Sequence, residues 1–294
     1  MPELPEVETI RLGLSRLING KKIVSVNYDN PKSFPNNKTE VDKFLIGSKI
    51  TKVRRRGKAL LIDLSTEHTL ITHLKMTGQL VFDSRRVHFG AGHPSPSLVH
   101  ALPDKSTRVT ITFSDSSRLY FNDQRKFGWM RLWPTLDVDS LEFFLRLGPE
   151  PLEPSFGWKE LRNRFKRRLR SPIKSALLDQ SVIAGVGNIY ADESLWGAKI
   201  HPSTKVGLLT TADFKRLHAS LIEVLKLSLD KGGSTDRNFV NAEGERGSYL
   251  EFASVFRKQG QPCPRCGTTI EKIRVGGRGT HFCPRCQKIK QAKI

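Results

Sequence analysis

The sequence predicts a multidomain α+β protein: an N-terminal helix with a β-sandwich, then a helical domain, then a four-cysteine zinc ribbon. Three observations lead to this prediction. The 294 residues are enough for two domains and a small appendage. The apolar pattern changes from short strand-like runs in the first half to helical spacing in the second. All four cysteines lie near the C-terminus, in two Cys-x-x-Cys pairs.

The first half of the chain predicts one helix followed by many strands. The helix begins at Pro2 and Glu3, and apolar residues recur on one approximate face from Val7 to Ile18. Strand-like runs separated by Gly, Asp and Ser turns extend from Lys22 to about Trp133, with examples at residues 50–53, 59–64, 69–73, 108–113 and 118–122. The segment 87–104 is rich in Gly, Pro, Ser and His, so we predict a long loop there.

The second half of the chain predicts helices. A proline-rich stretch at 148–154 indicates a linker, and the helical patterns after it lie at 158–169, 173–178, 188–196 and 211–228. The polar, glycine-containing segment 232–247 indicates a mobile loop. We therefore expect an N-terminal domain, a linker, a helical domain and a ribbon, with limits at residues 1–134, 135–152, 153–248 and 249–294.

The net charge of +20 predicts a polyanionic partner. The chain has 49 Lys and Arg against 29 Asp and Glu, and self-repulsion of this size is tolerated more easily when a polyanion is bound. Two stretches, 158–175 and 263–294, each hold eight cationic residues and one glutamate. This clustering favours nucleic acid over a generally basic protein or one that touches anionic lipid. No run approaches 18 apolar residues, so the sequence predicts no membrane span.

The cysteine spacing predicts one structural zinc ion. Sixteen residues separate the two pairs, and each pair can supply two thiolates to a tetrahedral site, so the expected ligands are Cys263, Cys266, Cys283 and Cys286. The alternative is two disulfides in a secreted domain, which the absence of a signal-peptide pattern and of other cysteines disfavours. The glycine-rich hairpin between the pairs carries Arg278, which suits contact with nucleic acid.

The first residues suggest a nucleophile. Removal of Met1 would leave Pro2 as a secondary amine, and an α-amino group is partly neutral at physiological pH. Such an amine can attack an aldehydic sugar carbon and become a cationic iminium, as a Schiff-base lysine does. The carboxyl groups of Glu3 and Glu6 can move protons beside it. The alternative is ordinary helix-start chemistry, with proline and acids in the first turn.

Six segments in the right order resemble those of the bacterial formamidopyrimidine-DNA glycosylases. The opening, residues 1–9, is similar to the family's N-terminus, and the resemblance recurs over the full chain. The other segments are Arg-Arg-Arg-Gly-Lys at 54–58, His-Leu-Lys-Met-Thr-Gly at 73–78, Gln-Arg-Lys-Phe-Gly at 124–128, Gly-Val-Gly-Asn-Ile-Tyr at 185–190 and Gly-Arg-Gly-Thr-His-Phe-Cys at 277–283. No single segment would suffice. Together they imply the family's β-sandwich, its helix–two-turns–helix element with the turn at 185–190, and its zinc ribbon.

The resemblance implies the chemistry of a bifunctional DNA glycosylase and AP lyase. It implies that Pro2 attacks C1′ of a damaged nucleotide and displaces the base, with Glu3 and its neighbour Glu6 assisting proton transfer. It implies a catalytic role for Lys58 in β-elimination and a role for Arg278 in the later elimination. Taken without the resemblance, Lys58 equally predicts a solvated basic turn. The zinc ion is expected to be structural and to take no part in the chemistry.

Three residues are expected to fill the space that an extruded base leaves in the duplex. A flexible thioether at Met76 and an aromatic ring at Phe127 can enter the stack, and the fork of Arg125 can bind the orphaned base. The resemblance implies this same set, with cytosine as the preferred orphan base. The alternative for Met76 and Phe127 is core packing, but their polar sequence neighbours favour exposure.

The resemblance also implies contacts to DNA phosphates. Asn188 is a good helix N-cap, and helix N-termini bind phosphate. Lys174 lies in the family's phosphate-contacting region. His73 is expected to bind phosphate, although a satisfied interior histidine fits its pattern equally well. At Ser106 many members carry histidine, so we expect a weakened contact in which the hydroxyl still donates to a phosphate.

The sequence thus predicts an enzyme of base excision repair that binds damaged double-stranded DNA and excises oxidised purines, such as 8-oxoguanine and formamidopyrimidines. We expect a monomer in the bacterial cytoplasm, at the nucleoid, with segment 232–247 covering the extruded base. Three alternatives are an endonuclease VIII-type enzyme for oxidised pyrimidines, a non-enzymatic zinc-ribbon protein, and a glycosylase that binds without cutting. The opening Leu4-Pro5 and the three void-filling residues argue against the first. Pro2, Glu3 and Lys58 argue against the other two.

Overall fold

The computed structural model describes residues 1–93, 95–234 and 248–291, which form two compact units. The first unit comprises Met1–Leu145 and Lys231–Ser248, and the second comprises Arg146–Asp230 and Tyr249–Ile294. The expected covering loop at 232–247 lies outside the described residues, apart from its first three. Among the described residues, no helix has the length and apolarity that crossing a bilayer requires.

The first unit consists of one long helix and nine strands within its described part. The helix α1 is Leu4–Ile18, and the shorter helices are α2 (Lys38–Glu40), the π-helical turn Val41–Leu45, the 3-10 turns Pro96–Leu98 and Thr135–Ser140, and α3 (Glu142–Leu145). The strands are β1 (Ile23–Tyr28), β2 (Ile50–Arg56), β3 (Ala59–Leu64), β4 (His68–His73), β5 (Gly78–Asp83), β6 (His88–Gly92), β7 (Thr107–Phe113), β8 (Arg118–Asp123) and β9 (Trp129–Pro134).

These strands form two antiparallel sheets, which confirms the predicted β-sandwich. One sheet has the order β1-β7-β8-β5-β6 and the other β2-β3-β4-β9. Buried side chains from both sheets and from α1 form one apolar cluster, so the core lies between these elements. Two pairings matter for the site: Ala59 lies opposite His73, and Gly78 lies opposite Asp123.

Helix α1 begins two residues later than the sequence indicated, because Glu3 is its N-cap rather than part of its first turn. The Glu3 N–H donates to Oε2 of Glu6 at 2.8 Å, and together the two residues form a capping box. Most of its predicted apolar face is buried, namely Val7, Ile10, Leu14 and Ile18, together with Leu4, but Leu12, which the prediction also placed on that face, is 45% exposed. On this face Gly13 leaves room for the ring of Phe89, which a side chain at residue 13 would overlap.

The predicted loop at 87–104 is wrong for its first part, where strand β6 pairs with β5. Glycine content obscured this strand in the sequence, because glycine usually weakens strands. The structure gives a reason for the glycines. A Cβ at Gly90 would lie 2.8 Å from the carbonyl oxygen of Leu98, and one at Gly92, where φ is +127°, would lie 2.5 Å from that of Gly78. Only glycine permits these close approaches.

The second unit is helical and ends in a two-stranded hairpin. Its elements are α4 (Trp158–Phe165), the 3-10 turn Lys166–Arg168, α5 (Ile173–Leu177), α6 (Asn188–Gly197), the 3-10 turn Val206–Leu208, α7 (Thr211–Asp230), α8 (Tyr249–Phe252), β10 (Glu271–Val275) and β11 (Arg278–Phe282). Their buried apolar residues form a core of their own. The predicted helix 158–169 ends early because its last turn tightens into 3-10 geometry, which is frequent at helix C-termini.

The contacts within the chain divide it differently from the predicted domain limits at two points. Residues 135–145, predicted as linker, belong to the first unit and include the 3-10 turn and α3. Residues 231–234 and 248, predicted as part of the helical domain, also belong to the first unit. Nothing in the amino-acid pattern indicates that residues 231–234 and 248 belong to the first unit, because a chain segment can return to an earlier domain without any change in composition.

Candidate active site and nucleic-acid interface

The start of α1 places Pro2 and Glu3 in a buried position in the first unit, whereas Met1 is 47% exposed. Both carboxylate oxygens of Glu6 are engaged nearby. Oε2 accepts from the Glu3 N–H, and Oε1 accepts from the N–H and the hydroxyl of Ser234, each at 2.7 Å. Glu6 therefore joins the helix start to the chain that leads into segment 232–247. These contacts favour a positioning role for Glu6 over proton transfer.

Lys58 lies in the turn between β2 and β3 and is only 6% exposed, so the alternative of a solvated basic turn is wrong. The turn needs Gly57, whose φ is +57°. Arg55 holds this turn: Nη1 donates to the carbonyl of Gly57 at 2.9 Å, and Nε donates to Oε2 of Glu8 in α1 at 3.0 Å. The lysine turn is thereby tied to the helix that begins with Pro2.

Glu8 and Arg55 are site residues that sequence reasoning missed. Burial raises the pKa of Glu8, but hydrogen bonds and charges from Arg11 and Arg55 outweigh it and hold that pKa below its ordinary value. Glu8 is therefore an anion at neutral pH, which suits an ion pair with Arg55. The signal in the sequence was the run of three arginines before Gly57. Because neighbouring strand residues face opposite sides, the middle one points away from the other two.

His73 ends strand β4 and is 7% exposed, stacked beside Trp129 and edge-on to Phe143. Burial, with the positive charges of Lys75 and Lys58, lowers the pKa of His73 from 6.5 to about 3. The ring is therefore neutral at pH 7. Its Nδ1 accepts from the Lys75 N–H at 3.0 Å, so the proton is on Nε2, which remains a donor. The interior environment is confirmed, and phosphate binding through Nε2 stays a prediction.

Asp123 fixes the two loops that carry the expected void-filling residues. Its carboxylate is fully buried and accepts from the hydroxyl of Thr77, from the Arg125 N–H at 3.2 Å and from the Gly128 N–H at 2.7 Å. Since Thr77 belongs to one loop and Arg125 to the other, a single carboxylate sets the spacing between them. Sequence reasoning missed Asp123, although an aspartate at a strand end before a loop often accepts backbone N–H groups.

Of the two expected wedge residues, Phe127 is exposed as the sequence predicted, whereas Met76 is only partly so. Phe127 is 53% exposed, which excludes core packing, and the guanidinium of Arg125 lies 4.7 Å from its ring centroid. Met76 is half-buried. Lys75 and Lys126 have left-handed backbones, with φ of +50° and +55°. Such strain in non-glycine residues often concentrates at functional loops.

Ser106 does not face solvent, which contradicts the expectation that its hydroxyl donates to a phosphate. It is 4% exposed, and its hydroxyl donates to Oδ1 of Asp104 at 2.6 Å and lies 3.0 Å from the hydroxyl of Ser97. Burial raises the pKa of Asp104, but hydrogen bonds from Ser106 and Ser97 outweigh it and lower that pKa, so Asp104 is ionised. The segment 87–104 is thus anchored on Ser106.

In the second unit, the turn before α6 presents Asn188, although not as the helix cap. The N-cap is Gly187, and Asn188 is the first helical residue, whose Nδ2 donates to the carbonyl of Gly279 at 3.1 Å. Gln180, which sequence reasoning missed, holds the turn: Oε1 accepts from the Gly185 N–H, and Nε2 donates to the carbonyl of Val186. Gly185 has φ of +84°, as a tight turn before a helix requires.

Lys174, which the resemblance placed in a phosphate-contacting region, is completely buried. Its Nζ donates to Oδ1 of Asp192 at 2.6 Å and to the carbonyl of Gly279 at 3.0 Å. The second oxygen of Asp192 accepts from the His281 N–H at 2.9 Å. This network ties α5 and α6 to strand β11. Arg278, the first residue of β11, is exposed at the hairpin tip next to Gly277. A phosphate contact by Lys174 stays untested, and its surroundings favour a positioning role.

The four cysteine sulfur atoms form one cluster, as the zinc prediction requires. They lie within 4.8 Å of one another and form no disulfide, so the disulfide alternative is wrong. The sulfur atoms of Cys263 and Cys286 are 4.0 Å apart, and that of Cys266 is 3.5 Å from those of Cys283 and Cys286. A tetrahedral zinc ion with bonds of about 2.3 Å needs sulfur pairs about 3.8 Å apart. The donor set therefore fits one structural Zn²⁺.

Helix α6 supports the zinc cluster through Trp196. The indole N–H donates to Sγ of Cys263 at 3.4 Å, and the guanidinium of Arg265 lies 3.9 Å from the Trp196 ring centroid. Trp196 also packs on the small apolar cluster of the ribbon, which includes Val255 and Ile270. The ribbon is therefore held by both the metal site and the helix.

Comparison with known proteins agrees with this geometry. The model of the formamidopyrimidine-DNA glycosylase N-terminal domain matches residues 1–130, that of the H2TH domain matches 147–239, and a zinc finger found in FPG and IleRS matches 260–289. A formamidopyrimidine-DNA glycosylase of Exiguobacterium sibiricum is 44% identical over 292 residues, which cover 98% of this chain and 99% of that protein.

The chain belongs to the formamidopyrimidine-DNA glycosylase family.

Solved structures of this family match the same length of chain. One is the complex between a mutant of the Lactococcus lactis FPG and a DNA containing Fapy-dG, with a TM-score of 0.86 and 36% identity over 98% of this chain and 100% of that one. Another is MutM in complex with DNA containing carbocyclic 8-oxo-G, with a TM-score of 0.84, 36% identity and the same coverage. The predicted family and fold are confirmed, as is the zinc ribbon of this glycosylase family.

Proposed function

We propose that this chain is a bifunctional DNA glycosylase and AP lyase of base excision repair, which removes oxidised purines from duplex DNA. Membership of the glycosylase family over the full chain carries the proposal. The lesions named for its structural relatives, Fapy-dG and 8-oxo-G, support oxidised purines as substrates. Within the first unit, Pro2 and Glu3 at the start of α1 are linked to Lys58 through Glu8 and Arg55.

The proposed glycosylase step uses Pro2 after Met1 has been removed. The nitrogen lone pair attacks C1′, the bond from C1′ to the base breaks, and the base leaves with the bonding electrons. The bonded nitrogen then loses its remaining proton to water, and its lone pair expels O4′ as the C1′–O4′ bond breaks. Glu3, buried beside Pro2, donates a proton to O4′ in this ring opening. The product is an iminium ion between Pro2 and the opened sugar, which draws electrons from C2′.

The proposed lyase steps follow from this electron sink. Loss of the C2′ proton expels the 3′ phosphate in β-elimination, and a second elimination expels the 5′ phosphate. Lys58, held in the β2–β3 turn, is proposed to act in the first step either by donating a proton as an ammonium or by accepting one as a neutral amine. Arg278 is proposed to bind phosphate and to assist the second step. Zinc holds the hairpin that carries Arg278 and takes part in no bond change.

Extrusion of the damaged nucleotide is assigned to the first unit. Met76 and Phe127 are proposed to enter the vacated space in the stack, while Arg125 binds the orphaned base, preferentially cytosine. The shared anchor at Asp123 supports this, because it fixes both loops at once. We further propose that the enzyme acts as a monomer on chromosomal DNA in the bacterial cytoplasm.

Borohydride trapping tests the proposal. Zinc-loaded protein without Met1 would be mixed with a labelled duplex containing 8-oxoguanine opposite cytosine, and with a thymine-glycol duplex. We expect a covalent adduct at Pro2, formed faster on the 8-oxoguanine duplex. The matched control carries extra residues before Pro2, which turn its nitrogen into an unreactive amide and should abolish the adduct.

Other outcomes of this experiment correspond to the alternatives. Faster trapping on thymine glycol would assign the chain to the endonuclease VIII type of activity. Tight binding without any adduct would leave a DNA-binding protein without lyase chemistry. In that case a Pro2→Gly variant should bind damaged DNA as the wild type does.

A further inference from the structure

Strand β7 is irregular at Arg108, beside the residue that fixes the two void-filling loops. In the pairing of β7 with β8, Thr107 lies opposite Asn122 and Val109 lies opposite Phe121, so Arg108 is the additional residue of a β-bulge. A bulge turns the side chain of its extra residue out of the regular alternation, and bulges are frequent next to active sites. The direction of the Arg108 side chain is therefore set by the bulge.

The guanidinium of Arg108 is almost completely buried, at 4% exposure of the residue, and joins three segments of the first unit. Its Nε donates to the carbonyl of Asp123 at 3.0 Å, Nη2 donates to the carbonyl of Lys105, and Nη1 donates to Oδ2 of Asp29. Asp29 directly follows strand β1, and its carboxylate supplies the negative charge that a buried guanidinium needs. The planar fork of arginine can reach acceptors on different edges in this way.

Arg108 completes the attachment of Asp123, the residue that holds both loops. The Asp123 N–H donates to the carbonyl of Ser106 at 2.7 Å, and its carbonyl accepts from Arg108. Because both backbone groups are engaged, the backbone of Asp123 has few alternative conformations. The direction of its carboxylate follows from that backbone, and the carboxylate accepts from the Thr77 hydroxyl and the Arg125 N–H. A change in the backbone at Asp123 is thus passed on to both loops.

The alternative is that Arg108 serves only the ion pair with Asp29. Such an ion pair would affect the stability of the first unit and not the choice of orphan base. It leaves unexplained why Nε and Nη2 both donate to backbone carbonyl groups, one of them at Asp123 itself. A hydrogen bond from a charged donor is also stronger than a neutral one, so the bond to the Asp123 carbonyl is well suited to fix that backbone.

We propose that Arg108 is a positioning residue for recognition of the orphaned base, which acts by fixing the backbone of Asp123 and through it the loops of Met76 and Arg125. This rests on the proposed function of those loops. Hydrogen bonds to base edges are directional, whereas phosphate contacts supply most of the general affinity. A displaced Arg125 loop therefore loses base preference before it loses DNA binding.

The test compares the double variant Arg108→Met/Asp29→Asn with Asp29→Asn alone. Asparagine at residue 29 removes the charge of the ion pair but keeps an acceptor for Nη1 and leaves both bonds to carbonyl groups. The added Arg108→Met change removes those two bonds and leaves no charge at residue 29 without its partner. The two proteins therefore differ only in the contacts that the proposal assigns to positioning.

Single-turnover excision of 8-oxoguanine opposite cytosine and opposite adenine, by zinc-loaded protein without Met1, measures the base preference. We expect the double variant to lower the ratio of the two rates about threefold to tenfold, while Asp29→Asn keeps the ratio of wild type. Affinity for undamaged duplex should be equal in all three proteins. Urea denaturation shows how much stability each variant loses.

Hydrogen exchange in the free protein gives a second readout that needs no DNA. The N–H groups of Arg125 and Gly128 should exchange faster in the double variant, relative to those of strand β3, and as in wild type in Asp29→Asn. Unchanged relative exchange would contradict the positioning of the loop by Arg108.

A wild-type ratio of rates in the double variant would overturn the inference and leave the proposed function intact. An equal loss of preference in Asp29→Asn would also overturn it, because the preference would then follow the stability of the unit. If wild type itself excises the lesion without preferring cytosine, the proposed role of Arg125 fails and the inference fails with it.

Discussion

At the level of single residues, buried polar groups position the exposed ones. Asp123 holds the loops of Met76 and Arg125, and Arg55 holds the turn of Lys58. Asp123 and Arg55 are largely buried. Each nevertheless fixes the backbone of a residue that is expected to act on the DNA. The physical reason is that a loop side chain works only when its backbone has few alternative conformations.

Replacing Asp123 with asparagine should loosen both loops. Asparagine keeps the shape but replaces one acceptor oxygen with an amide donor. Either the Gly128 N–H loses its acceptor, or the Thr77 hydroxyl and the Arg125 N–H lose theirs, and in the second case Arg125 keeps only its bond to the Thr77 hydroxyl. We expect the free energy of unfolding to fall by about 1–3 kcal/mol. Affinity for a duplex with an abasic site opposite cytosine should fall, and discrimination against other orphan bases should weaken, as measured by fluorescence anisotropy.

Asp115→Asn is the matched control for this change. Asp115 accepts from the N–H and hydroxyl of Ser117 in the β7–β8 turn, so it caps a turn as Asp123 does, but neither loop is involved. It is more exposed than Asp123 and also pairs with Lys21, so the comparison concerns orphan-base discrimination and not stability. A loss of orphan-base discrimination in this variant as large as in Asp123→Asn would show that the effect is not specific to the loops.

His73 should make the first unit sensitive to acid. Its pKa is about 3 when folded and about 6.5 when unfolded, so between these values the unfolded chain binds a proton that the folded chain does not. Stability therefore falls as the pH drops below 6.5, by at most about 1.4 kcal/mol per pH unit.

The comparison of wild type with His73→Gln measures this effect, because glutamine does not titrate. In urea denaturation at pH 7 and pH 5, wild type should lose about 2 kcal/mol more than the variant over that interval. Identical losses in the two proteins would contradict the burial of a neutral His73.

At the level of elements, the second unit joins helices α5 and α6 to strand β11 through one buried ion pair. Lys174 and Asp192 are both fully buried; Lys174 also donates to the carbonyl of Gly279, and Asp192 contacts the N–H and the ring Nδ1 of His281. Asn188 binds the same Gly279 carbonyl. The helix–two-turns–helix element and the Arg278 hairpin are consequently one structural piece within this unit.

Lys174→Met should destabilise the second unit without removing a phosphate contact. It leaves the Asp192 charge buried without its cation, which costs about 3–5 kcal/mol. Part of that loss should return in the double variant Lys174→Met/Asp192→Asn, because no buried charge is then uncompensated. Chemical denaturation of the three proteins measures both effects.

The salt dependence of DNA binding shows whether Lys174 contacts a DNA phosphate or only positions other residues. Each phosphate contact contributes about −0.9 to the slope of log affinity against log salt concentration. We expect the slope of the double variant to equal that of wild type, whereas Arg278→Ala, which removes an exposed cation, should reduce the slope by about one contact. A slope reduced equally in the double variant would establish Lys174 as a phosphate ligand after all.

At the level of the whole molecule, the zinc site belongs entirely to one of the two units. Cys266→Ser should therefore lower zinc content and abolish binding to damaged DNA, while the first unit keeps its fold. Metal analysis, anisotropy with an 8-oxoguanine duplex and the circular dichroism of the β-sandwich measure these three outcomes. The reason is that the ribbon has a very small core without its metal.

Cys266→His is the matched control, since imidazole can replace a thiolate in a tetrahedral zinc site. It should retain zinc and most of the DNA affinity. A folded Cys266→Ser protein with normal affinity for damaged DNA would refute the structural role assigned to the metal.

Local patterns in the sequence were enough to predict the sandwich, the helical region, the zinc ligands and the motif residues. The signals are period-two and helical apolar spacing, cysteine spacing, and short ordered motifs. The exposed positions of Phe127 and Arg278 also followed from polar or glycine-rich neighbours. Each of these inferences needs only residues close together in the chain.

Folding in three dimensions was required to show which polar groups are partners over long sequence separations. It turned Ser106 and Lys174 inward and paired Arg55 with Glu8. The fold also explains why a glycine-rich segment forms strand β6. The segment pairs with β5, and a side chain at Gly90 or Gly92 would overlap a nearby carbonyl oxygen. A buried polar residue is defined by the partner that satisfies it, and that partner is set by the fold rather than by sequence neighbours.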